Sequence, residues 1–140
     1  MSVKIEHQFN VSAEQLWAIV GTPDRIDWVP GATGCKIDGD IRSLTLAGAG
    51  NIKERILRHD NQHRILEYSC FETSAPLQSH QSRIEVVANA DGCQLIWQTT
   101  VTPLAIEVFI SKSMADCVTK LEEILIQATP HIYDFSGYQT

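Results

Sequence analysis

The sequence lacks several features that would place it in a specialised class of protein. It has no run of about 20 consecutive apolar residues, the length a membrane-spanning helix needs. Its four cysteines form no Cys-x-x-Cys pair and have no close histidine partner, so we expect free thiols and no metal site. Basic residues are few, and 11 Lys and Arg against 17 Asp and Glu give a net charge of -6. This acidic balance disfavours a nucleic-acid partner.

The N-terminal residues also lack the pattern of a secretory signal. Lys4, Glu6 and His7 interrupt the apolar block that a signal peptide requires. Together with the unpaired cysteines, this pattern predicts a cytoplasmic protein.

The composition itself is that of one globular domain. The chain has 140 residues, of which 44% are hydrophobic and 20% charged, enough to bury a single sizeable core. We predict one domain over residues 1–128. Residues 129–140 have polar and aromatic side chains without a period, so a loose tail is expected there.

The first 31 residues predict one strand and two short helices. Apolar and polar residues alternate over residues 3–9, which is typical of a strand with one buried face. Ser12 and Gln15 then form the sequence pattern of a capping box at the start of a first short helix. Thr22-Pro23 offers an N-cap and a first helical residue for a second one.

The middle of the chain is almost all predicted strand and turn, and its end is one long helix. Short connections between successive strands favour an antiparallel meander that Pro103 closes. Apolar residues then recur at three- and four-residue steps from Ile106 to Ala128. The six strands of the meander are expected near residues 35–39, 41–47, 51–59, 64–72, 79–88 and 93–102.

This order of elements predicts an α+β fold in which a curved antiparallel sheet of six to seven strands wraps around the C-terminal helix. A single long helix has to cover the whole buried face of the sheet, so the sheet must curl around it. A curled sheet and a helix leave a hollow between them, and such hollows are common ligand sites.

The same order of elements occurs with a particular set of residues, namely Trp17, Trp28-Val29-Pro30-Gly31, Arg42, Gly50, Glu54-Arg55, Asp60, Tyr68 and Trp97. This combination resembles the polyketide cyclase/dehydrase branch of the StAR-related and Bet v 1-like (SRPBCC) superfamily, over about residues 3–127. The resemblance implies a helix-grip fold with a cavity for a hydrophobic or amphipathic small molecule. The superfamily includes lipid carriers, hormone receptors and aromatase/cyclases, so no single chemistry is implied.

One residue departs from the pattern of this family. Where many relatives place an aromatic residue early in the strand that follows Ala75-Pro76-Leu77, this chain has His80. The exchange changes the polarity expected of the pocket.

Two charged residues are predicted to point into the hollow. Strand alternation places Arg42 and Glu54 on the buried face. If the hairpin sets Leu46 opposite Ile52, Leu44 faces Glu54 and Arg42 lies diagonally from it. The pair is then either an anchor for a ligand oxygen, with Glu54 available as a general base, or a structural ion pair.

Tyr68 and His80 are also predicted to face the hollow. His80 can exchange a proton near neutral pH, and Tyr68 can donate a hydrogen bond. A cyclisation or dehydration of a carbonyl-rich substrate needs such groups, although a lone histidine at a strand start is more often structural. Trp28 and Trp97 fit either a core or a ligand wall.

Three functional hypotheses follow. The first is binding of a hydrophobic or aromatic small molecule, lipid or polyketide-like, between sheet and helix. The second is a cyclase or dehydratase with Glu54, Tyr68 and His80 as catalytic residues. The third is a protein-binding module that docks through the aromatic residues of the tail. No cofactor is expected, and the sequence leaves ligand identity and oligomeric state open. The predicted ligand contacts are Trp28, Arg42, Leu44, Ile56, Trp97, Thr99, Phe109, Ile110 and Met114.

Overall fold

The computed structural model describes residues 2–48 and 50–128, with side chains up to Ile126. The predicted tail, residues 129–140, lies outside the described residues, as does the proposed docking through it. The elements are β1 (Ser2–Phe9), α1 (Ala13–Val20), β2 (Ala32–Asp38), β3 (Ile41–Leu46), β4 (Gly50–Asp60), β5 (Ile65–Glu72), β6 (Ser79–Asn89), β7 (Gly92–Thr102), a 3-10 turn (Leu104–Ile106) and α2 (Glu107–Ala128).

The capping box predicted for the first helix is present. The Ser12 hydroxyl accepts a hydrogen bond from the Gln15 amide at 3.1 Å, and the Gln15 side chain accepts one from the Ser12 amide at 3.0 Å. α1 ends at Gly21, where a Cβ atom would lie only 2.2 Å from the indole of Trp17. Glycine is therefore required there because Trp17 packs across the end of its own helix.

The predicted second short helix is wrong: residues 23–30 form successive turns. The carbonyls that a helix would use are taken by other partners. Trp28 Nε1 donates to the Arg25 carbonyl, and Arg42 Nη1 donates to the Pro23 carbonyl. The Thr22 hydroxyl donates back to the Ala18 carbonyl of α1 and so does not cap a second helix. Contacts with the rest of the fold thus override the local helix signal.

The seven strands form one antiparallel sheet in the order β1-β7-β6-β5-β4-β3-β2. Successive strands are neighbours from β2 to β7, which confirms the predicted meander, and β1 closes the sheet against β7. The sheet curves around α2 in the α+β arrangement expected from the sequence.

α2 supplies the apolar stripe that covers the sheet. The buried residues of this helix follow the predicted three- and four-residue steps: Met114, Cys117, Leu121 and Leu125.

None of the helices in the described ranges combines the length and apolar character needed to span a bilayer.

Candidate ligand-binding cavity

A cavity of about 260 Å³ lies between the sheet and the N-terminal half of α2. Four parts of the chain enclose it: the inner faces of β3 to β7, the turns over residues 23–30, the β5–β6 connection, and the start of α2. The lining residues are Arg25, Ile26, Trp28, Val29, Arg42, Leu44, Leu46, Ile52, Glu54, Tyr68, Cys70, Thr73, Ala75, Leu77, His80, Ser82, Trp97, Thr99, Ile106, Ile110, Ser113, Met114 and Cys117.

Most of the wall is apolar or aromatic. Trp28 and Trp97 meet with their ring centroids 5.5 Å apart at an angle of 59°, so two indole faces form one side. Leu44 from β3 and Met114 from α2 add aliphatic and thioether surface. Such a wall gains free energy by taking apolar ligand surface out of water.

Arg42 and Glu54 form a buried ion pair at the polar side of the cavity. The residues are each only 8% exposed. Arg42 Nε donates to Glu54 Oε1 at 2.9 Å, and Arg42 Nη2 lies 2.7 Å from the same oxygen. Arg42 Nη1 donates to the Pro23 carbonyl at 3.0 Å and so ties the turns over residues 23–30 to the sheet.

The register of this pair differs from the predicted one. Arg42 lies directly opposite Glu54, and Leu44 lies opposite Ile52. The predicted hairpin, with Leu46 facing Ile52, made the loop two residues too long, because Leu46 in fact faces Gly50. The change brings the two charged groups closer than the diagonal arrangement would.

Tyr68 stands over this ion pair. The guanidinium carbon of Arg42 lies 4.8 Å from the centre of the Tyr68 ring. Burial, helped by the nearby Glu54 charge and opposed by Arg42, raises the pKa of Tyr68 to about 12. Its hydroxyl therefore keeps its proton at neutral pH and can serve as a hydrogen-bond donor.

His80 is held in one tautomer by a backbone amide of the neighbouring strand β5. The Cys70 amide donates to His80 Nδ1 at 2.9 Å, so the proton of the neutral ring lies on Nε2. Burial lowers the pKa of His80 by more than the Glu54 carboxylate raises it. A neutral ring with Nδ1 already occupied can donate from Nε2 but has no free lone pair with which to act as a base.

The cysteines near the site are protonated thiols. Burial raises the pKa of Cys117 to about 12 and also raises that of Cys70, with Glu54 contributing at Cys70. A thiol is a poor nucleophile compared with a thiolate, so neither residue has the environment of a catalytic cysteine.

The histidines near the β4–β5 turn are occupied by other partners. His59 Nε2 donates to the Gly21 carbonyl at 2.7 Å, and His63 Nδ1 pairs with Asp60 at 2.8 Å. Within the described ranges, no three His, Cys, Asp or Glu residues come together as metal ligands would.

The cavity brings together most of the residues predicted to form a site. Glu54, Tyr68 and His80 all line it, as do Trp28, Arg42, Leu44, Trp97, Thr99, Ile110 and Met114.

Ile56 and Phe109 are corrections to the predicted site. Ile56 keeps the inward alternation of Ile52 and Glu54, but two residues further along β4 it packs against the core and does not line the cavity. Phe109 is 73% exposed. It precedes the inward-facing Ile110 by one residue and so points about 100° away around the helix.

Several lining residues were missed because they lie in segments without a period. Thr73, Ala75 and Leu77 come from the β5–β6 connection, and Arg25 and Ile26 come from the turns over residues 23–30. Periodicity reports which face of a strand or helix is buried, but it carries no information about loops. The proline-containing connection after β5 was the only sequence feature that marked one of these loops.

Sequence and structure comparisons identify the family. The model of the family described as polyketide cyclase/dehydrase and lipid transport matches residues 1–125. This chain belongs to that family. A search of curated proteins returned no significant match.

Solved structures share the fold at low sequence identity. An uncharacterised protein from Bacillus thuringiensis is 22% identical with a TM-score of 0.81, covering 90% of this chain and 99% of its own. A START superfamily protein from Mycobacterium smegmatis is 16% identical with a TM-score of 0.76, covering 92% of this chain and 98% of its own. Norcoclaurine synthase from Thalictrum flavum, also solved with dopamine and hydroxybenzaldehyde, is 18% identical in that complex with a TM-score of 0.63, covering 92% and 89%.

Proposed function

We propose that this protein binds a hydrophobic or aromatic small molecule in the cavity between the sheet and α2. The observation that carries the proposal is the cavity itself, which is lined mainly by apolar and aromatic side chains and has its polar groups grouped around Tyr68. Well-packed interiors have few voids larger than a water molecule, so a hollow of about 260 Å³ is a departure from ordinary core packing.

The arrangement of charge supports binding in preference to catalysis. Glu54 Oε1 is engaged by two nitrogens of Arg42, and His80 Nδ1 is engaged by the Cys70 amide. The one lone pair of neutral His80 and one oxygen of the Glu54 carboxylate are thus engaged by the protein. A cavity with satisfied charges and apolar walls suits a ligand that enters and leaves unchanged.

Thermal denaturation with a ligand panel tests the proposal. Lipids, polyketides and small aromatics, including aromatic aldehydes of the kind bound by norcoclaurine synthase, should include members that raise the melting temperature. A ligand at 100 times its Kd stabilises the folded state by about 2.7 kcal/mol. An unchanged melting temperature across the whole panel would contradict the proposal.

Two neighbouring residues on α2 provide a matched pair of variants. Ile110→Trp places an indole in the cavity, whereas Phe109→Trp adds similar bulk one position away on the exposed surface. We expect the first variant to lose ligand stabilisation and the second to keep it. Equal behaviour of the two would place binding elsewhere on the protein.

A cyclase or dehydratase activity is the second candidate, because Glu54, Tyr68 and His80 line one cavity. In that case Arg42 orients the substrate, Tyr68 and the Nε2–H of His80 donate to carbonyl oxygens, and Glu54 removes a proton. Glu54→Gln and His80→Asn should then abolish turnover of a poly-carbonyl substrate while the variants stay folded. His80→Asn retains an acceptor for the Cys70 amide, so loss of turnover there would not reflect a broken strand. Unaltered rates in both variants would eliminate these catalytic roles.

A further inference from the structure

The three tryptophans of the chain differ in what their indole N–H groups contact. Trp17 Nε1 donates to Asn61 Oδ1 at 2.9 Å, and Trp28 Nε1 donates to the Arg25 carbonyl at 3.0 Å. Trp97 lines the cavity and is only 6% exposed, yet its Nε1 is buried and makes no hydrogen bond with the described residues. A buried donor without an acceptor costs free energy, so this one calls for an explanation.

The Trp97 N–H lies close to the Tyr68 hydroxyl. Trp97 and Ser82 both lower the pKa of Tyr68, as donors close to its oxygen do, although the indole N–H makes no hydrogen bond within the described residues. Ser82 is itself fixed by a 2.6 Å hydrogen bond to Thr99. A hydroxyl whose neighbours can donate to its oxygen keeps its own proton available for an acceptor in the cavity.

The charges around the cavity disfavour an anionic ligand at this point. Among the described residues that line it, the two arginines are already paired: Arg42 with Glu54, and Arg25 with Asp27. A ligand carboxylate would meet the Glu54 charge without gaining a free cation. A neutral oxygen avoids that repulsion and still accepts a hydrogen bond.

We propose that Tyr68 is the hydrogen-bond donor that holds a neutral acceptor oxygen of the ligand, with Trp97 as the residue that positions its hydroxyl. The preferred ligand is then an aromatic ketone or similar carbonyl compound, in preference to a hydrocarbon or carboxylate of the same shape. This inference rests on the proposed binding function. When the ligand oxygen accepts a hydrogen bond from the Tyr68 hydroxyl, the Tyr68 oxygen becomes a better acceptor for the Trp97 N–H, because linked hydrogen bonds polarise one another.

Three naphthalene derivatives of matched shape test the inference by calorimetric titration. 2-Acetylnaphthalene carries a ketone, 2-ethylnaphthalene replaces its oxygen by hydrogens, and 2-naphthoate carries a carboxylate. We expect the ketone to bind about 2- to 10-fold more tightly than the hydrocarbon, the range of one net hydrogen bond, and the carboxylate to bind more weakly than both.

Three variants distinguish the role of Tyr68 from that of Trp97 and provide a control at Trp28. Tyr68→Phe should remove the preference for the ketone while leaving the Kd of the hydrocarbon nearly unchanged. Trp97→Phe should reduce that preference in part. Trp28→Phe alters the cavity wall at a residue whose N–H already donates to the Arg25 carbonyl. It should therefore change the Kd values of the ketone and the hydrocarbon by the same factor.

The carbonyl stretching band of bound 2-acetylnaphthalene reports the hydrogen bond directly. It should lie at lower frequency in the wild-type protein than in hydrocarbon solvent, return toward the solvent value in Tyr68→Phe, and move part of the way in Trp97→Phe. A purely structural role for Trp97 would leave this band in place and would overturn its positioning role.

The outcomes distinguish this inference from the proposed function. If the ketone and hydrocarbon bind equally, or the carboxylate binds best, the donor site is wrong but the binding function stands. If Tyr68→Phe leaves the preference for the ketone unchanged, the assignment to Tyr68 is overturned. If none of the three compounds binds and the wider thermal panel is also silent, the binding function itself fails.

Discussion

Along β5, β6 and β7, residues only two positions apart line two very different interiors. Toward α1, Leu66, Ile84 and Leu95 are completely buried among other apolar side chains. Toward the 3-10 turn, Tyr68, Ser82 and Trp97 on the same strands and the same face line the cavity. One face of one sheet therefore serves as a packed core at one end and as the wall of the cavity at the other.

The difference arises from what lies against the sheet. At the packed end, α1 contributes Leu16, Ile19 and Val20, and α2 contributes Leu121 and Leu125. At the other end, the turns over residues 23–30 take the place of a second helix. They are attached to the sheet by the hydrogen bond from Arg42 to the Pro23 carbonyl, but they do not fill the space beneath them. A helix with apolar side chains fills the concave face of a curved sheet, whereas a turn only covers it.

The largest expected effect is on stability at the packed end. Leu121→Ala should cost about 2–5 kcal/mol of unfolding free energy because it opens a cavity in closely packed surroundings. Met114→Ala, the matched truncation on the same helix beside the existing hollow, should fall at the lower end of that range, since fewer neighbouring atoms lose contacts. Urea unfolding measures both, and an equal loss would contradict the contrast between the two ends.

The next effect is a pH dependence at the cavity end. The pKa of His80 is lowered in the folded protein, so the unfolded chain binds a proton more readily between the folded and unfolded values. The stability from neutral His80 is therefore present above about pH 6.5, the ordinary value, and is lost as pH falls through the lower folded pKa. Each unit of lowering corresponds to about 1.4 kcal/mol.

His80→Asn is the control for this pH effect. Asparagine can accept from the Cys70 amide but does not titrate, so the wild-type loss of stability in this pH range should be smaller in the variant. Unfolding midpoints measured from pH 5 to pH 8 in both proteins give the comparison. Identical pH profiles would show that His80 is not the group responsible.

The smallest expected effect is a difference in the loss of unfolding free energy among three tryptophan-to-phenylalanine variants. Trp17→Phe and Trp28→Phe each leave an oxygen without its N–H donor, and each should lose about 1 kcal/mol more than Trp97→Phe in the ligand-free protein. All three changes remove the same atoms, so the difference isolates the hydrogen bond. A loss in Trp97→Phe as large as the other two would mean that its N–H does have a partner in solution.

Much of the fold was predictable because its signals are periodic. Alternation located all seven strands to within a few residues, and the three- and four-residue steps placed α2 correctly. The second short helix failed because Thr22 and Pro23 form a valid local start signal, but the Arg25 and Pro23 carbonyls are used by Trp28 and Arg42. Arg42 is 19 residues from Pro23 in the sequence, and Trp28 reaches the Arg25 carbonyl through its side chain. A rule based on local helix signals includes neither contact.

The candidate site was predictable where it lies on regular strands. Arg42, Glu54, Tyr68 and His80 were all expected to face one hollow, and they line one cavity. The failures have particular causes: Ile56 lies one inward position beyond Glu54 and packs against the core, and a single helical step separated Phe109 from Ile110. The contributions of the β5–β6 connection had no periodic signal at all.

The sequence by itself determined the order of the seven strands and of the first and last helices, the buried face of most of them, and the family. These depend on local spacing, which the backbone geometry of strands and helices translates directly into direction. Only the tertiary structure decided that Arg42 meets Glu54 head on, that Nδ1 of His80 is occupied by Cys70, and that the N–H of Trp97 is left beside Tyr68. Such contacts depend on register, bulges and the exact curvature of the sheet, and these are settled by packing the whole chain at once.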